Sequence, residues 1–359
     1  MKKLICVLCV LALAAGFSGC VKQTQTENPA QGATVSFTDD AGRTVELPAK
    51  IERVACAGTM AQIVAFPITA DMLVGLSGKW GSNTEQYIAD KYLKLPIFGQ
   101  FYGADDLNLE AIAAADPQVI IDIGEPKKTI VEDMDEIAKQ IGIPTVFIEA
   151  SLDKMPQTYR TLGKLLGLEE KAEKLAQYCE GTLSDTKSKM AEVGDKKVSL
   201  LYLQGDAGLN VIAQASYHAE LINLVSDNAA VVDEPSSKGS GNEVSMEQLL
   251  LWNPDVIIFA PGSVYATVGS DKTWQGLKAI SSGNYFEAPA DPYNWMGFPP
   301  SVNRYMGMKW LAQLLYPEVF NYNLKAETKS YYKMFYLCDL TDSQYDALMM
   351  NALPEKKAA

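Results

Sequence analysis

Residues 106–122 read DLNLEAIAAADPQVIID and residues 243–259 read EVSMEQLLLWNPDVIIF. Set one on the other, Asn108 stands over Ser245, Glu110 over Glu247 and Pro117 over Pro254, with the glutamate seven positions before the proline in both copies. Asn and Ser carry the short side-chain oxygens that cap a helix start by accepting from free first-turn amides. A glutamate two residues on lies where the helix dipole favours negative charge. Asp116-Pro117 and Asn253-Pro254 end the helix, and the β-branched runs that follow have the composition of buried strands. The same unit written twice predicts two similar α/β lobes, each exposing a glutamate at an equivalent helix start.

Outward from the first copy, residues 35–48 (VSFTDDAGRTVELP) alternate apolar and polar about Asp40-Ala41-Gly42, a hairpin signal. Residues 53–58 (RVACAG) form a short strand entering a glycine turn, and residues 60–66 resume with helical spacing. Met72–Leu76, Val119–Ile123 and Thr145–Ile148 are further strands, with a helix over 129–141 between the last two. Around the second copy stand a strand over 198–203, a helix near 216–225, a strand over 256–260 and a helical stretch from about 301. Strands alternating with helices predict parallel, buried sheets.

Between the halves, Pro156 to Val193 shows no strand signal; Pro156 suits a first helical turn, and Gly167 is a point of kink or division. Ala172, Leu175, Cys179, Leu183, Thr186 and Met190 then recur every three or four residues. A helix over 169–193, stopped by Gly194-Asp195, would span roughly 35–40 Å at 1.5 Å per residue.

The first residues follow another logic. Lys2 and Lys3 precede an apolar run to Phe17, and Ser18-Gly19 lead into Cys20. That is the order of a secretory signal, and Cys20 after small residues resembles a lipobox cysteine, to be acylated as the mature first residue. Phe17 departs from the leucine usual three positions before it. Residues 20–34 are polar with Gly and Pro, the composition of a flexible tether. Of 359 residues 48% are apolar and 21% charged, a globular composition long enough for two domains. The formal charge is −13, and losing the two lysines of the signal would make it −15. Such acidity argues against nucleic acid and against adhesion to anionic lipid. Cys56, Cys179 and Cys338 are an odd number without metal-site spacing, and are read as unpaired small residues.

The repeat, the opening TDDAGRTVELP with RV, and the close PPSVNRYMGMKWLAQLLYPE together resemble the periplasmic binding proteins of iron–siderophore, haem and cobalamin ABC importers, over about residues 35–320. The resemblance implies an α/β fold of two Rossmann-like lobes with parallel sheets joined by a single long helix, the ligand lying in the cleft between them. The corresponding segments are a signal over 1–19, a tether over 20–34, an N-terminal lobe over 35–152, a linking helix over 153–194, a C-terminal lobe over 195–322 and a helical extension over 323–359. The resemblance further implies a monomer, small lobe motion, and one docking glutamate per lobe for arginines of a permease dimer driven by its ATPase. By position in the motif these are Glu110 and Glu247.

Ligand contacts are expected on loops after strands, at the facing lobe edges. In the first lobe these are Gly58, Thr59, Met60, Trp80, Gln100, Phe101 and Tyr102. In the second they are Tyr217, His218, Tyr265, Tyr293, Asn294, Trp295 and Arg304. Aromatic rings would cover a flat or catecholate ligand, and an arginine would offset negative charge. His218 is the chain's one histidine, so no histidine cage for a free metal ion can form, although it could complete the coordination of a chelated one. No nucleophile elbow, HExxH, P-loop or dinucleotide glycine fingerprint is present. The expectation is a binding protein without a cofactor of its own, whose ligand is a metal chelate: iron–siderophore first, then haem or a corrinoid, then a nickel or cobalt chelate. The rival readings are an exported hydrolase built on His218 and a surface sensor or adhesin.

Overall fold

The computed structural model describes residues 33–101 and 106–354. Strands β1 (Thr34–Thr38) and β2 (Thr44–Pro48) form the expected antiparallel hairpin, Thr38 facing Thr44. Its turn places Gly42 at φ +79°, a conformation glycine adopts without strain. The Asp39 carboxylate ties the turn down by accepting from the amides of Ala41, Arg43 and Phe147.

The first lobe then runs β3 (Val54–Cys56), α1 (Thr59–Thr69), α2 (Asp90–Leu93), α3 (Leu109–Ala115), β4 (Val119–Gly124), α4 (Ile130–Ile141) and β5 (Thr145–Glu149). Its sheet is the parallel triplet β3-β4-β5. Met72–Leu76 is not a ladder strand; it makes only the isolated bridges Val54 to Leu73 and Leu76 to Ile97. A Cβ on its Gly75 would stand 2.2 Å from the Phe98 ring, so the chain is pressed onto that ring there.

The stretch over 153–194 is two helices, α5 (Met155–Leu166) and α6 (Glu169–Val193), folded back on each other. Gly167, at φ +66°, makes the turn, and a Cβ on Gly163 would stand 2.5 Å from that of Ala172. Of the pair, α6 alone makes the long crossing, about 37 Å, and buries Ala172, Leu175, Ala176, Cys179, Leu183, Thr186 and Met190.

The second lobe comprises β6 (Ser199–Gln204), β7 (Asn210–Val211), α7 (Glu220–Val225), β8 (Asp227–Asn228), β9 (Asn242–Glu243), α8 (Met246–Trp252), β10 (Val256–Phe259), α9 (Tyr265–Val268), α10 (Lys278–Ser281), β11 (Tyr285–Glu287) and α11 (Asn303–Leu315). Strands β11-β10-β6 are parallel, as is β8 on β6. Here the sheet is mixed rather than wholly parallel, because β7 returns antiparallel to β6 and pairs β9. The return turn carries Gly205 and Gly208, both with positive φ.

The C-terminal helices α12 (Leu324–Phe335) and α13 (Asp342–Leu348) are no appendage. Trp310 Nε1 donates to Ala352 O, Gln344 Nε2 donates to Gln86 O in the first lobe, and the Tyr332 and Tyr87 rings lie 5.5 Å apart. One core cluster therefore runs from Leu47 through Ile121, Leu175 and Trp310 to Ala352, joining both lobes through α6 and α12. Swinging the lobes apart would expose part of that apolar surface, at about 25 cal/mol per Å².

Candidate functional site: the cleft between the lobes

Strands β3 and β4 end at the facing edge of the first lobe, and a cavity of about 380 Å³ opens there against the second. Gly58, Thr59, Met60, Ala61, Gln100, Asp122, Ile123, Gly124, Glu125 and Lys127 line one side; Tyr217, His218, Gly239, Phe298, Pro299 and Pro300 line the other. Two roomier grooves, about 650 and 760 Å³, lie elsewhere, one along α6 and α12 and one beside the β1–β2 hairpin. Neither is framed by strand ends of both lobes.

On the first lobe, the Gln100 side chain fixes the β3–α1 turn, its Oε1 accepting from Thr59 Oγ1 at 2.7 Å. Glu125 and Lys127 pair at 3.4 Å, each partly open to water. Asp122 lies deeper, 6% exposed, and burial pushes its carboxyl up to about 6.

On the second lobe, the Ser216 side chain accepts from the His218 amide and caps the one-turn helix Tyr217–Ala219. The His218 ring stacks on Phe298 at 5.7 Å and 16°, and Phe298 stacks on Tyr202 at 5.0 Å and 15°. Burial, above all, lowers the His218 pKa, so the ring is neutral at pH 7, and its Nδ1 is buried without a partner. Tyr217 Oη reaches across to Ala150 O at 2.6 Å, and Tyr305 Oη donates to Leu152 O at 2.6 Å. These bonds clamp the end of the first lobe to the second.

The cleft thus brings together Gly58, Thr59, Met60, Gln100, Tyr217 and His218 among the residues singled out from sequence. Others lie elsewhere. Trp80 is 6% exposed, packed edge-on against Phe66 at 4.7 Å and tilted against Tyr293 at 6.0 Å. Tyr293 is also buried, and Trp295 is fully buried beside Trp310. Asn294 donates to Tyr202 Oη and holds the loop that carries Phe298. Tyr265 packs with Tyr285 in the second lobe's own core. The Phe101 amide donates to Ala57 O, and its ring packs on the first lobe's side cluster. Arg304 is fully buried behind Tyr217, its guanidinium carbon 5.7 Å from that ring, and pairs with Glu220. The aromatic loop between prolines faces inward because α12 covers it, Tyr332 Oη donating to Asp291 O. Tyr102 and Cys20 lie outside the described residues.

Asp122, Glu125, Lys127 and Phe298 were not singled out from sequence. For Asp122 a signal existed within the repeat, which puts Asp122 where the second copy has Phe259.

Glu110 and Glu247 are both exposed in the first turns of α3 and α8. Asn108 and Ser245 are the caps, accepting from Ala111 N at 2.9 Å and Gln248 N at 3.2 Å. Both helices end on a left-handed residue before the proline, Asp116 at φ +51° and Asn253 at φ +41°. Among the described residues the three cysteines are free, no cluster of metal-ligating side chains occurs, and no helix is long and apolar enough to cross a membrane.

The family model described as periplasmic binding protein matches residues 55–292. The Fe(3+)-citrate-binding protein YfmC of Bacillus subtilis is 27% identical over 190 residues, 52% of this chain and 58% of that protein's length. An ABC transporter solute binding protein from Sulfurospirillum deleyianum superposes with a TM-score of 0.80 at 29% identity, covering 88% of this chain and 99% of that one. A periplasmic solute binding protein from Veillonella parvula gives 0.73 at 28% identity, covering 89% and 98%. The chain belongs to the periplasmic binding protein family, as a substrate-binding component of an ABC transporter and not an enzyme.

Proposed function

We propose that the protein captures a chelated metal, an iron–siderophore before haem, a corrinoid or a nickel or cobalt chelate, in the interlobe cleft. The observation that carries this reading is the neutral, unpartnered imidazole nitrogen of His218, set in a wall of stacked rings. A single such nitrogen cannot hold a free ion but can fill a coordination site that a chelator leaves open. The 27% identity to a ferric-citrate-binding protein supports the same class. Anchored through an acylated Cys20, the protein would hand its cargo to a permease dimer, with Glu110 and Glu247 meeting basic residues on the two subunits.

Titration calorimetry with ferric chelates, haem and cobalamin tests the reading. A ferric chelate with open coordination sites should bind, and His218→Ala should weaken it by roughly tenfold or more, as loss of one metal contact does. The charge-transfer band of the bound iron should shift in the variant. Equal affinities and unshifted bands would remove His218 from the coordination shell, and binding of no chelate at all would overturn the reading.

Docking has a separate readout. The double variant Glu110→Ala/Glu247→Ala should retain chelate affinity while radio-iron uptake by cells carrying it falls several-fold, because charge pairs at an interface act mainly on encounter. Uptake at the wild-type rate would discard these two residues as docking points.

A further inference from the structure

Asp122 is a carboxylate that the fold does not require. It occupies the inner strand β4 and is 94% buried, whereas the equivalent position of the duplicated lobe holds Phe259. An apolar side chain therefore satisfies this position of the unit. Burial outweighs the amide of Ile123 and the charge of Lys127, the two groups that favour its ionised form. Lys127 also meets Glu125 at 3.4 Å, and the fully buried Arg304 gives only Nη1 to Glu220 behind the Tyr217 ring, its Nε and Nη2 having no partner. A buried carboxylate compensated only in part is costly, and this one faces the cleft. A donor on a bound ligand would supply the compensation that the chain leaves incomplete.

The charges around it point the same way. Among the cleft-lining side chains Asp122 and Glu125 are acidic, Lys127 is basic and His218 is neutral, a balance of one negative charge. A polyanionic chelate would bring like charge against Asp122 with Lys127 as the one cationic side chain lining the cleft to offset it. We infer that Asp122 is a ligand contact, and that the cleft takes a neutral or cationic chelate turning a hydrogen-bond donor, such as an ammonium or amide N–H, toward the first lobe. This rests on the chelate reading above and narrows it to a charge class.

The experiment compares two ferric chelates of opposite charge by titration calorimetry at pH 7.5: the iron complex of a tetradentate dihydroxamate with a free ammonium, which leaves two coordination sites open, and ferric citrate. The wild type should bind the cationic chelate at least tenfold more tightly. Asp122→Asn, close in shape, should weaken that binding roughly tenfold, the usual effect of losing a charge-assisted hydrogen bond, while leaving or improving the citrate affinity. Unchanged near-ultraviolet dichroism would show the variant folded, and Glu125→Gln should shift selectivity in the same direction. A wild type that prefers citrate, or an Asp122→Asn affinity for the dihydroxamate complex within twofold of wild type, overturns the charge assignment alone. A wild type that binds haem or cobalamin but neither of these chelates also overturns the charge assignment, and one that binds none of the four overturns the chelate reading with it.

Discussion

Replacing Arg304 by alanine should destabilise the folded protein by about 3 kcal/mol, the lower end of what breaking a buried ion pair costs. In melting temperature that is roughly 4 °C for a chain of this size. The guanidinium is fully buried, pairs with Glu220, and lies against the Tyr217 ring. Its stem occupies space that exists only because residue 297 is glycine, since a Cβ there would stand 2.5 Å from Arg304 Cγ. Glu220 is 27% exposed in its side chain, so water can partly rescue the abandoned carboxylate, which keeps the cost from the upper end of the range. Both carboxylate oxygens of Glu220 also lie 3.4 Å from the Leu152 amide, at the exit of the first lobe, so the loss should loosen the lobe junction as well. The double variant Arg304→Met/Glu220→Gln should recover most of the stability, because neither partner is then left as an unpaired charge. Calorimetric melting that finds Arg304→Ala as stable as wild type would show that the pair does not brace this junction.

The opposite sign is expected at Asp122. Its carboxyl is held at about 6 in the folded protein, against an ordinary 3.8. For an acid whose pKa rises on folding, the unfolded chain ionises first, so the native state loses stability as pH climbs between these two values. Above pH 7 the full cost is present, about 3 kcal/mol for a shift of this size. Asn cannot ionise and escapes it. Unliganded Asp122→Asn should therefore melt roughly 4 °C above wild type at pH 8, with the gain fading to nothing at pH 4. A gain that does not change with pH would mean that ionisation of Asp122 is not what the native state resists. Together with the binding experiment, the result would make Asp122 a case of stability given up for recognition.

The cleft shows how far local signals reach. Gly58, Thr59, Gln100, Tyr217 and His218 were legible because they follow strands or open helices, and strand ends of α/β lobes converge on the ligand side. Trp80, Tyr293 and Trp295 have the same local signature, loop aromatics beside glycine or proline, yet lie in the core. What separates the two sets is α12 and α13, more than thirty residues further along, which fold back over the loop at 291–295 and reach Gln86. No local spacing announces that return.

The repeat at 106–122 and 243–259 by itself determined two lobes, their capped helix starts and their exposed glutamates, because caps, dipoles and proline breaks act within a few residues. The crossing by a 25-residue helix was likewise written in its three- and four-residue apolar spacing. Only the tertiary structure decided which aromatics face the cleft, that Arg304 is buried against Glu220, and that Asp122 is buried at the cleft edge. Burial and pairing depend on what distant segments bring to a site, and the energy of a charged group is set by those neighbours rather than by its place in the chain.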